Sequence, residues 1–529
     1  MALLRSLAPH HFHFSRYSPL VKDSQSLESQ MRFRSVIRNI IRLLLILPVV
    51  TASGQSPANP RPATTTQNSA VDFSIYERAR MENWQWFAAP SQSATYSFAE
   101  SLLRIGISQA ARKFDWQLEV SQPSVLFAPD HAVSPVTAQG QMGLGATYYV
   151  SNQGNQDSAA AFLKQGYIRY HFGRDRNIRI GRFEFFDGVE TNPKNANMAW
   201  LQTNRIAQRL VGNFGFSAAQ RSFDGLDGHL GNGSWDLTAM AGRADQGVFN
   251  MNGNPELNVD LQYLALTHSQ FKQHVLWRAF ALGYHDGRTG ITKTDNRSLA
   301  ARQADHNNIR IGTYGGDIIA SVPTHGGQFD LLAWGVVQNG QWGELQQHAK
   351  AGAIEGGYQF LNVFSSPWLR GGYFYGSGDT NASDNRHETF FQVLPTPWLY
   401  AHFPFYNLMN NKDGFAQVID RPTKHIDFRA DLHWLQLASN QDLWYLGGGA
   451  YDNNVFGYVG RPSNDHSSLA TVLDITASWQ ATKSITANFC YGYADGKSAV
   501  AGIYPTDRNA QFGYAELVYR WGKATRTAH

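Results

Sequence analysis

A chain of 529 residues with a single cysteine, Cys490, cannot form an internal disulfide and cannot build a cysteine-based metal site. Charged residues make up only 16% of it, and the mean hydropathy is −0.37. No apolar run reaches the ~18–20 residues that a membrane-spanning helix needs. These shortages exclude a helical membrane bundle, a disulfide-stapled secreted scaffold and a highly charged helical rod. Basic surface is also scarce. The formal charge is +4, but residues 1–52 hold seven Lys/Arg against two acids, so the remainder is close to −1. Nucleic-acid binding, which needs a basic surface on the mature chain, loses its main electrostatic support.

What the chain does have is 13% aromatic residues and 48 glycines. Residues 31–52 read as a secretory signal: Arg32, Arg34, Arg38 and Arg42, then the apolar run Leu43 to Val50, then Val50-Thr51-Ala52 as a cleavage pattern. Met31 is the expected start of translation, which removes His10, His11 and His13 from consideration as a metal site. Residues 53–70, rich in Pro, Thr, Ser, Gln and Asn, read as a flexible lead-in, 71–523 as one β-rich domain and 524–529 as a short tail.

The most informative stretch is Ile426 to Trp434. Ile426, Phe428, Ala430, Leu432 and Trp434 share one phase, and Asp427, Arg429, Asp431 and His433 share the other. The same pattern recurs at Ile105/Arg104, at Ile168 and Tyr170 against Arg169, at Ile178 and Ile180 against Arg179, and at Leu369 against Arg370. A soluble half-buried sheet gives this period too, but a signal peptide and a missing second apolar face favour a transmembrane barrel, lipid outside and water inside. At about 25 residues per strand and connection, ~450 residues give ~18 strands, an even number as antiparallel closure requires. The expectation is an all-β, single antiparallel transmembrane β-barrel in the outer membrane of a Gram-negative-type bacterium. Aromatic pairs near strand ends, Trp84/Trp86, Tyr148/Tyr149, Trp368, Trp398/Tyr400 and Trp444/Tyr445, are candidates for interfacial girdles.

Three ordered segments resemble the alginate export family of outer-membrane barrels: Ile178-Arg179-Ile180-Gly181-Arg182-Phe183-Glu184, Arg221-Ser222-Phe223-Asp224-Gly225, and a run from Arg370-Gly371-Gly372-Tyr373 through Gly376-Ser377-Gly378-Asp379, Thr389-Phe390-Phe391 and Leu394-Pro395 to Tyr400. The resemblance implies an 18-stranded monomer with an arginine-lined constriction that passes an acidic polysaccharide. It departs at the end, where Trp521 is followed by eight further residues instead of closing the chain on an aromatic.

The expected function is therefore an outer-membrane channel for an anionic or polar solute, in particular an acidic oligo- or polysaccharide. Rings of arginine suit anion pores, and guanidinium matches carboxylate geometry. Arg78, Arg80, Arg104, Arg169, Arg179, Arg370 and Arg429 stand on polar strand phases, Lys350 joins them, and Arg182 is kept because its motif matches although the alternation breaks at Gly181. Asp427 and Asp431 flank Arg429 on the same face and are expected to pair with arginines of neighbouring strands. No cofactor or metal is expected: Asp379 and Asp384 lie near Asn381 and Asn385, but not at the spacing of a calcium loop. The expected partners are outer-membrane lipid, the barrel-assembly machinery, a saccharide or small solute and a periplasmic delivery protein. A lipase-like barrel enzyme is the alternative, yet the chain beyond the presequence has no Gly-x-Ser-x-Gly elbow and no Ser beside His433 on its face. A general porin of other selectivity is a further alternative. A soluble propeller would need a 40–50-residue repeat, which is absent.

Overall fold

A computed structural model describes residues 70–90, 92–270 and 274–522; the presequence, all of the lead-in before its last residue, Ala70, and the C-terminal tail lie outside the described residues. Eighteen antiparallel strands form a closed ring, in chain order β1 (Asp72–Gln85), β2 (Thr95–Ala110), β3 (Phe114–Leu126), β4 (Phe162–Gly173), β5 (Arg176–Phe183), β6 (Phe223–Gly231), β7 (Trp235–Asp245), β8 (Glu256–Gln270), β9 (Val275–Asp286), β10 (Ile309–Pro323), β11 (Gly327–Trp342), β12 (Leu345–Phe360), β13 (Trp368–Gly376), β14 (Asn411–Thr423), β15 (Ile426–Leu437), β16 (Ser468–Gln480), β17 (Ile485–Gly496) and β18 (Asn509–Gly522). Each pairs with its chain neighbours, and β18 closes on β1 from Ser74↔Gly522 to Gln85↔Gln511. Two-residue strands at Ser158–Ala159 and Arg386–His387 add to the wall's edges.

Burial is inverted relative to a soluble protein. The outward phase carries Ile168, Ile180, Leu264, Val337, Ile354 and Phe489, each about half or more exposed, while Arg80, Glu100, Asp227, Asp330 and Glu355 are buried on the inward phase. A mid-membrane arginine facing lipid costs roughly 2–4 kcal/mol, so this distribution is stable only with hydrocarbon outside. The aromatic girdles are Phe73, Phe114, Trp235, Trp479 and Trp521 toward one end and Tyr314, Tyr373, Trp434 and Tyr493 toward the other. Trp84, Trp86, Tyr148, Trp368, Tyr400, Trp444 and Tyr445, expected at the interfaces, are instead almost fully buried inside. Being next to a strand end fixes a residue's height and leaves its direction open.

The two ends of the barrel differ. At one, connections are as short as two residues between β4 and β5 or between β14 and β15. At the other stand the long segments 127–161, 184–222, 287–308, 377–410 and 438–467. In outer-membrane barrels the short turns are periplasmic and the long loops external. These loops fold inward: Leu201, Leu210, Phe216, Phe390, Leu408 and Tyr458 join Trp84, Phe98 and Phe512 of the wall in one apolar cluster. The lumen of the loop half is thus a packed core.

Candidate functional site

Below and around that core, the wall's charges are arranged in opposite-sign pairs set by strand register. Arg80 stands opposite Glu100 on β2 and Glu516 on β18, at 2.7 and 2.6 Å. Arg78 reaches Glu100 at 3.3 Å and donates to the carbonyls of Gly215, Phe216 and Ser217 in the infolded loop. Arg104 is held by Glu119 and Glu184, Arg169 by Asp115, and Arg179 by Asp227, its register partner on β6. Arg370 meets Asp330 at 3.1 Å and Glu355 at 3.2 Å. Arg429 pairs with Asp431 two residues along its own strand, at 2.5 Å, while Gln417 of β14 donates to Asp431. These seven arginines do face the lumen, each against at least one carboxylate.

Two expected site residues, Lys350 and Arg182, face outward, and a third, Asp431, takes a partner on its own strand. Lys350 points outward, on the same phase as Ile354 of β12; Glu355, five residues on, takes the opposite face. Arg182 lies in the outward row Arg182–Asp224–Arg243–Asp260, two residues above the exposed Ile180, with its guanidinium on Asp224 and the Asn254 carbonyl. Gly181 has a φ of 129°, yet the alternation runs through it: Arg179 and Phe183 face inward and Ile180 and Arg182 outward. That row of alternating charge tops the apolar band. Asp427 is on the inward phase at the short-turn mouth, exposed, and pairs with Arg421 of β14 at 2.6 Å, so Asp427 does pair across strands whereas Asp431 pairs within one. Replacing Lys350 by alanine is expected to leave single-channel conductance and ion selectivity unchanged, whereas Arg429→Ala shifts selectivity toward cations; equal effects of the two would contradict these placements.

The plug is fixed to the wall by buried polar groups that the strand pattern does not reveal. Glu355 of β12 receives Arg205 in a two-bond fork, each bond 2.8 Å, and also lies 3.6 Å from Arg209. Among the described residues Arg221 has no carboxylate at ion-pair distance; its two terminal nitrogens donate to the carbonyls of Gly212, Leu394, Gly448 and Ala450, tying three loops together. The rest of its motif is equally structural. Ser222 bonds Lys164 and Asp245, Asp224 holds Arg182, and a Cβ on Gly225 would collide with the carbonyl of Ala241. Further on, Thr389 donates to Asp442, and Tyr400 to the carbonyls of Ile206 and Ala207.

Two spaces remain. In the loop half lies a mainly apolar cavity of about 360 Å³, walled by Phe214, Phe216, Trp398, Phe403 and Phe456 with Arg461 at its edge. On the short-turn side is a polar vestibule of about 380 Å³, lined by Arg421, Asp427, Arg429 and Asn488. Residues 397–406 separate them: Trp398, Phe403 and Tyr406 line the first and His402 the second. This septum is clamped by Asp474 of β16, which accepts the His402 N–H at 2.7 Å and the Phe403 N–H at 3.3 Å, and by Asp413, which accepts the Tyr406 hydroxyl. A stacked column of Arg80, Phe216, Trp398 and His402 connects it to the wall. His433 is hydrogen-bonded to Asp413 and packed near Tyr406 and Phe415; among the described residues no serine hydroxyl bonds to it. Among the described residues, no group of three His, Cys, Asp or Glu is placed to hold a metal ion.

Two buried loop carboxyls couple the plug to pH. Burial pushes Asp187 up to about 6 despite Arg278 and the N–H groups of Leu210 and Val211, and burial pushes Asp442 to about 6 despite hydrogen bonds from Thr389 and Tyr445. The folded plug therefore favours their protonated forms. Their contribution is complete below the unfolded value near 4 and is lost as pH rises through about 6, up to ~3 kcal/mol each. Hydrogen exchange of segments 184–222 and 438–467 is expected to be faster at pH 8 than at pH 5 after correction for intrinsic rates; equal protection would refute the coupling.

A family model described as alginate export matches residues 124–495. No curated protein matches the chain in sequence. The fold is similar to the crystal structures of Acinetobacter baumannii OccAB4 (TM-score 0.52, 7% identity, 87% of this chain and 99% of that one), A. baumannii OccAB2 (0.52, 9%, 86% and 98%) and Pseudomonas aeruginosa OccK9, also called OpdG (0.51, 9%, 86% and 98%).

Proposed function

The chain belongs to the alginate export family, and from that premise we propose that it is a plugged outer-membrane channel of a Gram-negative-type bacterium that passes small solutes singly, without catalysing a reaction. The observation that carries this reading is the septum at residues 397–406, which divides the lumen into two chambers of about 360 and 380 Å³. Chambers of that size hold a molecule of one or two rings. Among the described residues the septum stands between these chambers, across the path a polymer would take. Pairing of the inward arginines with carboxylates lowers the fixed positive potential that would draw in a polyanion.

A second reading, passage of an acidic oligosaccharide, is supported by the family's description and by Arg421 and Arg429, which line the vestibule. On that reading the plug must leave the barrel during transport. Proteoliposome swelling with neutral sugars of rising length separates the two. The first reading predicts entry of monosaccharide-sized solutes and a sharp cut-off by the tetrasaccharide; equal swelling rates across the series would overturn it.

A further inference from the structure

Arg461 differs from the lumen arginines named above. It is 2% exposed and borders the aromatic cavity, yet among the described residues no carboxylate lies within ion-pair distance of it. Its terminal nitrogens donate to the carbonyls of Ala138, Gln139 and Gln141 and to the Tyr504 hydroxyl, and its Nε is buried without an acceptor. Trp86, Trp444 and Tyr504 surround the guanidinium with ring centroids 5.5–5.9 Å away. Arg221, which also has no carboxylate partner among the described residues, likewise spends its terminal nitrogens on four acceptors and leaves its Nε unpaired, but borders no cavity described above. A buried unpaired cation is costly, and an anion arriving with the solute removes that cost.

We propose that the aromatic cavity is a binding site for a small cyclic monocarboxylate, its ring among Phe214, Phe216, Trp398 and Phe403 and its carboxylate on the Arg461 guanidinium. Charge selects the carboxylate. Lining chemistry selects the ring: the walls are aromatic and aliphatic, so a hydroxyl-rich sugar acid would leave most of its polar groups unpaired, whereas a flat or alicyclic apolar ring buries its faces. The volume, about 360 Å³, admits such a molecule and no chain of linked sugars. The site deepens the small-solute reading and rests on it.

The test is calorimetric titration of the refolded full-length mature barrel in detergent with benzoate, cyclohexanecarboxylate, benzamide and glucuronate. The site predicts that benzoate and cyclohexanecarboxylate bind at least tenfold more tightly than benzamide, and that glucuronate binds weakly. Arg461→Gln is expected to abolish the preference for benzoate over benzamide, while Arg461→Lys keeps part of it. Because Arg461 also holds loop carbonyls, each variant is checked for heat-modifiable migration, and Phe216→Ala, away from those carbonyls, is expected to weaken benzoate and benzamide alike. Equal affinity of benzoate and benzamide for the wild type, or a preference that survives Arg461→Gln, overturns the site. If that happens while swelling still shows a small-solute cut-off, the channel reading stands and only the ligand assignment falls; if long sugars swell the liposomes, both fall.

Discussion

Replacing Glu355 by alanine is expected to release the plug. Its carboxylate lies between Arg205 and Arg209 of the infolded segment and Arg370 of the wall, with every partner almost fully buried. Removing it leaves three guanidiniums close together, with Asp330 alone to compensate Arg370. Breaking a buried pair in this way costs roughly 3–5 kcal/mol. The barrel itself is held by eighteen hydrogen-bonded strands and does not depend on this residue, so the loss falls on the loops. Planar-bilayer recordings of Glu355→Ala should show a several-fold larger conductance with frequent open–closed transitions. Heat-modifiable migration should persist. An unchanged conductance with an intact barrel would show that this cluster does not hold the plug.

The second large effect is expected at Arg221. Its four carbonyl partners come from residues 212, 394, 448 and 450, in three loops of the packed lumen. Arg221→Met keeps most of the side-chain volume and takes the Arg221 donor from the buried carbonyls of Gly212, Gly448 and Ala450, while Leu394 keeps the Gly212 N–H, a cost on the order of 3–5 kcal/mol to the loop assembly. Burial lowers the affinity of this guanidinium for its proton, to about 10, against the opposing pull of Tyr458, Asp245 and Tyr284. Hydrogen exchange should lose protection in segments 377–410 and 438–467 while the strands keep theirs. Protection that is uniform and unchanged would mean the loops pack without this pin.

The wall was legible in the sequence because lipid imposes period two on it. Ile426 to Trp434 predicts β15 correctly, and the inward phase of Arg78, Arg80, Arg104, Arg169, Arg179, Arg370 and Arg429 follows from counting along each strand. Lys350 was misplaced because Ala349, Ala351 and Ala353 give that strand no polarity contrast; its odd spacing from Glu355 was the signal that both could not face inward. The plug was not legible. Its segments show no period, since their apolar side chains pack against a lumen whose shape is set by strands hundreds of residues away. Arg205 and Arg209, four residues apart, look like an ordinary basic pair until β12 brings Glu355 between them. The Arg221-Ser222-Phe223-Asp224-Gly225 segment carries part of the family resemblance, and in the structure its residues serve loop fastening and close strand approach.

The central claim is a lumen that is filled by its own loops and lined by compensated charge. Single-channel conductance and reversal potential of the refolded mature chain under a potassium chloride gradient test it most directly. The account predicts a small conductance, a reversal potential close to zero, and no block by long polyuronate chains. A large, strongly chloride-selective current that polyuronate blocks would contradict it.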